Sequence, residues 1–518
     1  MTRWLCLHFI RDRRAAPARA SVLAGQRRWN NGESWVLRPA MLHAVFVVML
    51  LVAASAQAQT AATPGGAMNS LSPGSAAALG QSAFSGSVPA KLEPGVLQLS
   101  LQEAMDRGLK QNLGVLLSGE NVRAARGERW KQLSALLPNL TTSTYIADAQ
   151  VDLAEFGFTF KFPGVQIPSV VGPFSYFDSR AYLTQSVFDW KAINNKRMAA
   201  ESEKSAQYTY KDARDVVLLA VGYTYLQAIA DEARLETVAA EARTAQAVYD
   251  QAADRVHAGT SPAIDGLRAQ VELKSRQQQL IQATNELAVR KLSLARVIGL
   301  APGQQFELAD KSSYRPFAGI TVEEALRRAY ASRSDFQAAL ADVRAAEFSR
   351  KAAAAGHLPS LSFSADYGLA GTYPNTTTHG VFDVRGTLAI PIFAGGRTHG
   401  EVLEADARLA QNRQRLENLR GQIDAEVRTA LLNIESAEQQ VAVAQSNIEL
   451  AGQTLAQARD RFAAGVTDTV EVVQAQEAVA SAQESYISSL YLDNYAKISL
   501  ARALGLAEEG VIEYLKGK

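Results

Sequence analysis

Residues 461–476 read RFAAGVTDTVEVVQAQ, and residues 255–270 read RVHAGTSPAIDGLRAQ, an offset of 206. Each stretch opens as a helix end, passes through Ala-Gly and a short Thr/Ser/Pro turn, and meets an acidic residue where a new helix begins. Gly259 and Gly465 stand where a helix closes in the left-handed conformation, which a side chain would strain. Thr260 or Ser261, and Thr467 or Asp468, are the expected N-caps of the helices that follow. Asp265 and Glu471 fall in the first turn of those helices, where the helix dipole favours negative charge. Each stretch therefore predicts the bend of a helical hairpin.

The duplication extends outward from the bends. LSLQEA at 99–104 returns as ITVEEA at 320–325, and LPNL at 137–140 as LPSL at 358–361, both offset by 221. RAYLTQSVF at 180–188 returns as RGTLAIPIF at 385–393, offset by 205, and LARVIGL at 294–300 as LARALGL at 500–506, offset by 206. The one large step in offset places about 16 extra residues between Pro138 and Phe188. Four landmarks in order predict one fold of two similar halves, residues 96–305 and 306–518. A solenoid would need at least three short repeats.

The N-terminus reads differently. Residues 1–40 are Arg-rich, and the apolar run AVFVVMLLVAA at 44–54 precedes Ala56-Gln57-Ala58. That is the pattern of a secretory signal, too short to span a membrane, so residues 1–58 are expected to be an extension and signal peptide starting at Met1 or Met41. Residues 59–95, rich in Ala, Gly, Ser and Pro, predict a flexible lead-in. The only cysteine, Cys6, lies before the cleavage pattern, so no disulfide, thiol nucleophile or lipid anchor is expected beyond it. The net charge of the whole chain is +1, and residues 1–58 hold eight Arg against one Asp and one Glu. The remainder has no basic excess that would suit nucleic acid.

Between the landmarks the hydrophobic period alternates. A helix is expected from about 101 to Leu136, where Pro138 stops it, and another from Val322 to Pro359. After Pro359 the period becomes two: Leu361, Phe363, Ala365, Tyr367 and Leu369 against Ser360, Ser362, Ser364, Asp366 and Gly368. A second strand is expected over 381–393, and matching strands near 139–149 and 174–188. This alternation fits a membrane β-barrel wall, with Asp366, Asp383, Arg180 and Arg385 on the polar side. An antiparallel sheet on a soluble core has the same alternation and is the commoner arrangement. Long helices follow. Val221, Ala228, Leu235, Ala242, Tyr249 and Val256 are spaced by seven, as are Val427, Ile434, Val441, Ile448, Leu455 and Phe462. Such heptads predict left-handed supercoiling, with each helix roughly 100 Å long. Four strands cannot close a membrane barrel, whose smallest form has eight, whereas three chains would supply twelve.

With these residues in place, the chain resembles the TolC-like outer-membrane efflux proteins over about residues 99–506. The run IPIFAGGR at 390–397 resembles the family's strand-to-helix junction (Pro391, Phe393, Gly395, Gly396 and Arg397), and the bends resemble its periplasmic tips. The resemblance implies a mixed α/β membrane protein: a homotrimer with a twelve-stranded barrel in outer-membrane lipid, four strands per chain, continuous with a periplasmic α-helical barrel. It implies an exit duct of a tripartite efflux or type I secretion system, served by a periplasmic adaptor and an inner-membrane pump. Gly259, Thr260, Ser261, Gly465, Val466 and Thr467 match the tip turns where an adaptor would touch. Asp265, Glu471 and Gln474 match positions near the periplasmic constriction. Thr467 stands where an Arg can make a gate bond, and Gln474 where a second acidic ring can occur, so this chain departs from the best-known gate.

Other chemistry is missing. Gly395-Gly396-Arg397 lacks the spacing of a phosphate-binding loop. His257, His357, His379 and His399 have no metal-ligand spacing, and no nucleophile has a motif around it. The expectation is a protein that is not an enzyme and needs no cofactor. The rival reading is a periplasmic coiled-coil scaffold or adaptor without a pore. The cargo, the adaptor and any ion selectivity are not written in the residues.

Overall fold

A computed structural model describes residues 84–516 except 85, 156, 158–160, 163, 164, 167, 312, 373–377 and 468. Contacts divide the chain into Met1–Asn69, outside the described residues together with the expected signal peptide and Cys6, and Ser70–Lys518, which holds everything below.

In chain order come β1 (Leu97–Leu99), α1 (Leu101–Gln111), α2 (Leu113–Ser134), β2 (Asn139–Asp152), β3 (Lys161–Phe162), β4 (Val165–Gln166) and β5 (Val170–Phe188). Then come α3 (Trp190–His257), α4 (Ala263–Ile298), β6 (Phe306–Leu308), α5 (Val322–Ser332) and α6 (Ser334–Ala354). A 3-10 turn leads to β7 (Ser360–Thr372), β8 (His379–Ala389), α7 (Arg397–Ala463), α8 (Thr469–Ala503) and α9 (Ala507–Lys516). The long helices have 68 and 67 residues, about 100 Å each at 1.5 Å per residue. Both heptad stripes are buried or half-buried along their length; Val221, Ala228, Val427, Ile434 and Val441 are at most 3% exposed.

Two expectations are corrected. The helix that opens each half is two helices, broken at Asn112 and at Arg333, both extended in backbone. The break makes room for another helix end: the buried Asn112 Nδ2 donates to the Val297 carbonyl at 3.3 Å, just before Gly299 closes α4. A Cβ at Gly505, which follows α8, would lie 2.7 Å from the Arg333 backbone nitrogen. The second strand of half two stops at Ala389, short of Pro391 and Phe393. The connection between β2 and β5 carries the small β3–β4 ladder. The parallel β1–β6 pair and helix α9 were also not foreseen.

The main sheet has the order β2-β5-β7-β8, antiparallel throughout, with β2 and β8 as open edges. Its two faces differ in kind. One carries Leu140, Ile146, Tyr367, Leu369, Phe382, Val384 and Leu388, which are 48–74% exposed, so no soluble core covers them. On the other, Arg180 pairs with Asp178 at 2.7 Å and with Asp366 at 3.1 Å, and Arg385 pairs with Asp383. Among the described residues no helix is long and apolar enough to cross a membrane.

Candidate functional site at the helix bends

Both bends close by the same backbone device. After α3, Thr260 N donates to the Arg255 carbonyl at 2.9 Å and Gly259 N to the Val256 carbonyl at 3.1 Å. After α7, Val466 N donates to the Arg461 carbonyl at 2.9 Å and Gly465 N to the Phe462 carbonyl at 3.1 Å. These are the six-to-one and five-to-two bonds of a Schellman closure, with Gly259 and Gly465 at φ +71° and +72°. The left-handed assignment from sequence therefore holds.

The N-cap assignment does not hold at the first bend. Pro262 is the N-cap of α4 and offers no side-chain bond. The Thr260 hydroxyl turns back to donate to the Arg255 carbonyl at 3.1 Å, a second bond beside that from its own N–H. Ser261 donates to Asp265 at 2.6 Å instead of capping a backbone amide. At the second bend Thr467 likewise donates to the Glu471 carboxylate. Asp468 lies outside the described residues. Asp265 and Glu471 do occupy the first turns of α4 and α8. Gln474 is exposed on α8, and Val466 is 69% exposed at its bend.

Two arginines that the sequence reading passed over complete the site. Arg461 Nη1 meets Glu471 at 2.8 Å, closing its own hairpin. Arg255, its counterpart 206 residues earlier, instead crosses to the other hairpin. Its guanidinium stacks over the Phe462 ring at 4.3 Å and donates to the Phe462 carbonyl at 3.2 and 3.3 Å. The cation thus sits against the C-terminal turn of α7, where the helix dipole welcomes it. Phe462 itself is buried among Ala458, Val472 and Ala475. The shared opening letters R-x-x-A-G were a signal for these arginines, but their partners were not readable.

At the other end of α7, Gly395 and Gly396 take φ +58° and +82°, and Arg397 begins the helix. Beside this turn Ile392 and Phe393 are 95% and 88% exposed. Lys191 and Glu401, 3.0 Å apart, link the starts of α3 and α7.

A second polar cluster lies where the halves meet. Arg333 pairs with Asp335 at 2.6 Å and Glu426 at 2.5 Å, and Arg502 pairs with Asp212. Burial pushes the neighbouring Asp215 carboxyl up to about 6, against the opposing pull of Arg502. Asp335 is also desolvated, yet the Arg333 guanidinium holds it below the usual carboxylate range. These groups tie α3, α6, α7 and α8 together. Among the described residues no cluster suits a metal ion.

The model of the outer membrane efflux protein family matches residues 110–300 and 325–506. The chain is 25% identical to the pyoverdine export outer membrane protein OpmQ of Pseudomonas putida over 64% of this chain and 70% of that protein. It is 22% identical to the outer membrane protein TolC of Escherichia coli, over 63% and 69% respectively. Among solved structures, the CmeC outer membrane channel of Campylobacter jejuni superposes with a TM-score of 0.68 at 18% identity, over 79% of this chain and 86% of that one.

Proposed function

The chain belongs to the outer membrane efflux protein family, whose members are channels and not enzymes, and from that premise we propose that it is a passive exit duct for a tripartite efflux or type I secretion system. Three copies close a twelve-stranded barrel in the outer membrane, and their paired long helices continue it through the periplasm. Residues 1–58 direct export, 59–95 lead in, and the repeats 96–305 and 306–518 each supply two barrel strands and one helical hairpin. A pump and adaptor in the cell envelope deliver the cargo.

The observation that carries this reading is the sheet. It has one bare apolar face, one polar face with paired charges, and two unpaired edges. In hydrocarbon every backbone polar group must be bonded, so such a sheet is stable only when its edges are closed by other strands. A soluble scaffold would have to hide Phe382, Val384 and Leu388, which are 61–74% exposed. That rival is not favoured.

The bends are the periplasmic mouth. Gly259, Thr260, Ser261, Gly465, Val466 and Thr467 form the surface an adaptor meets; a Cβ at either glycine would have nothing within 4 Å, so another backbone can come close. Asp265, Glu471 and Gln474 lie beside the constriction. Arg255 is the tie that holds the two hairpins of one chain together, and docking opens the mouth by drawing Arg255 off Phe462. The test is the mass of detergent-solubilised protein, corrected for bound detergent, followed by conductance in planar bilayers. Three chains and a conducting pore support the duct. A single chain that stays in solution without detergent overturns it.

A further inference from the structure

Where the two repeats meet, buried acids outnumber the cations that face them. Asp212 and Asp215 stand three residues apart on one face of α3, at 6% and 8% exposure. The cations around them are Arg333, from the break between α5 and α6, and Arg502, from α8. The other acids are Asp335 on α6 and Glu426 on α7. Glu508 of α9 also faces Asp215, and it is held by Arg214 of α3 at 2.7 Å.

Arg333 is already taken up by Asp335 and Glu426. One guanidinium is left for two carboxylates. Arg502 Nη2 donates to Asp212, while its Nη1 is buried without a hydrogen-bond partner. Asp215 makes no hydrogen bond or ion pair among the described residues. An ionised carboxylate buried without a bonded partner is costly, and a proton removes that cost.

We propose that Asp212 and Asp215, competing for Arg502, form a proton-operated clasp between the repeats. With Asp215 neutral, Arg502 serves Asp212 alone and α3 is held firmly to α8. With both acids ionised, an unpaired charge is buried at the junction and α3 parts from α8 more readily. Burial, acting against Arg502, raises both carboxyls above their ordinary range, and Asp215 reaches about 6. A group whose folded value lies above its unfolded value of about 3.9 adds stability as the pH falls. For Asp215 the gain is absent above about pH 7 and complete near pH 4. Between pH 8 and pH 5 it shifts the ratio of closed to open junction by about tenfold. The clasp lies within one chain, so it does not depend on how many copies assemble.

Hydrogen–deuterium exchange of the full chain in detergent, followed by mass spectrometry, tests it. Protection in peptides spanning 212–222 and 498–506, corrected for the intrinsic exchange rate, is compared at pH 8 and pH 5. Wild type should gain about tenfold in protection on acidification. Asp215→Asn, which has the shape of the protonated acid, should change less than about twofold and should already show at pH 8 the protection that wild type reaches at pH 5. Asp212→Asn frees Arg502 for Asp215, so its overall protection falls and the gain in acid disappears. A wild type without the gain, an Asp215→Asn variant that keeps it or does not fold, or an Asp212→Asn variant that keeps it overturns the clasp. Each of these leaves the exit duct standing, since that reading is decided by particle mass and conductance.

Discussion

The two bends share a backbone and differ in what their arginines hold. Both close with the same pair of hydrogen bonds around a left-handed glycine. Arg461 then turns inward to Glu471, whereas Arg255 leaves its hairpin for Phe462. The acids differ accordingly. Glu471 has a guanidinium at 2.8 Å, while Asp265, among the described residues, has the Ser261 hydroxyl at 2.6 Å and Arg268 at 3.9 Å. A repeat can thus preserve a turn while reassigning its charges. The backbone makes the two hairpins alike, and one side chain makes the first depend on the second.

The largest effect expected at the bends is common to both. Gly259→Val and Gly465→Val each force a branched side chain into a left-handed residue, at about 1–2 kcal/mol. With open space around both positions, the two losses of thermal stability should match within about 0.5 kcal/mol, as thermal melts followed by circular dichroism would reveal. A clear inequality would mean that the bends are not backbone equivalents. The arginines should then separate them. Arg255→Leu removes the cation–ring contact and the bonds to the Phe462 carbonyl, worth about 1–1.5 kcal/mol at this partly exposed site, so the open probability in planar bilayers should rise roughly tenfold. Arg461→Leu should raise it less than about threefold, because it removes only an exposed pair within one hairpin. Equal responses would erase the distinction between tie and local closure.

Charge sharpens the same contrast at lower amplitude. Asp265→Asn should move the reversal potential in a salt gradient toward zero by more than Glu471→Gln does, since Arg461 already offsets Glu471. If Asp265→Ala and Glu471→Ala together change neither conductance nor selectivity, the acids only stabilise helix ends. The smallest effect is that of Thr260→Val, which deletes one hydroxyl bond to the end of α3 and should cost about 0.5 kcal/mol in the same melts.

Much of the architecture could be read because it rests on periods and on glycine. The heptads from Val221 and Val427, the period-two run after Pro359, and Gly259, Gly299, Gly465 and Gly505 each encode their geometry locally. The breaks at Asn112 and Arg333 were not legible, since neither residue is a helix breaker. Each is imposed by a helix end that docks from some 190 or 170 residues further along the chain. The strand expected to reach Phe393 stops at Ala389, opposite Ser360, the residue with which its partner β7 begins. At the bends, Asp265 and Glu471 could be placed from the N-terminal preference of acids. Their partners could not, since Ser261 and Thr467 prefer a nearby carboxylate to a backbone amide, and Arg255 finds its acceptor 207 residues away.

The unpaired edges of β2 and β8 also bear on how the molecule is made. A lone chain entering the bilayer would take two rows of bare amides and carbonyls into hydrocarbon, each unsatisfied group costing several kcal/mol. On the proposed trimeric-barrel reading, insertion and association would therefore be a single, concentration-dependent event. On the same reading, a newly exported chain would cross an aqueous compartment with the apolar face around Phe382 and Val384 uncovered, and would need an escort to shield that face until its neighbours arrive.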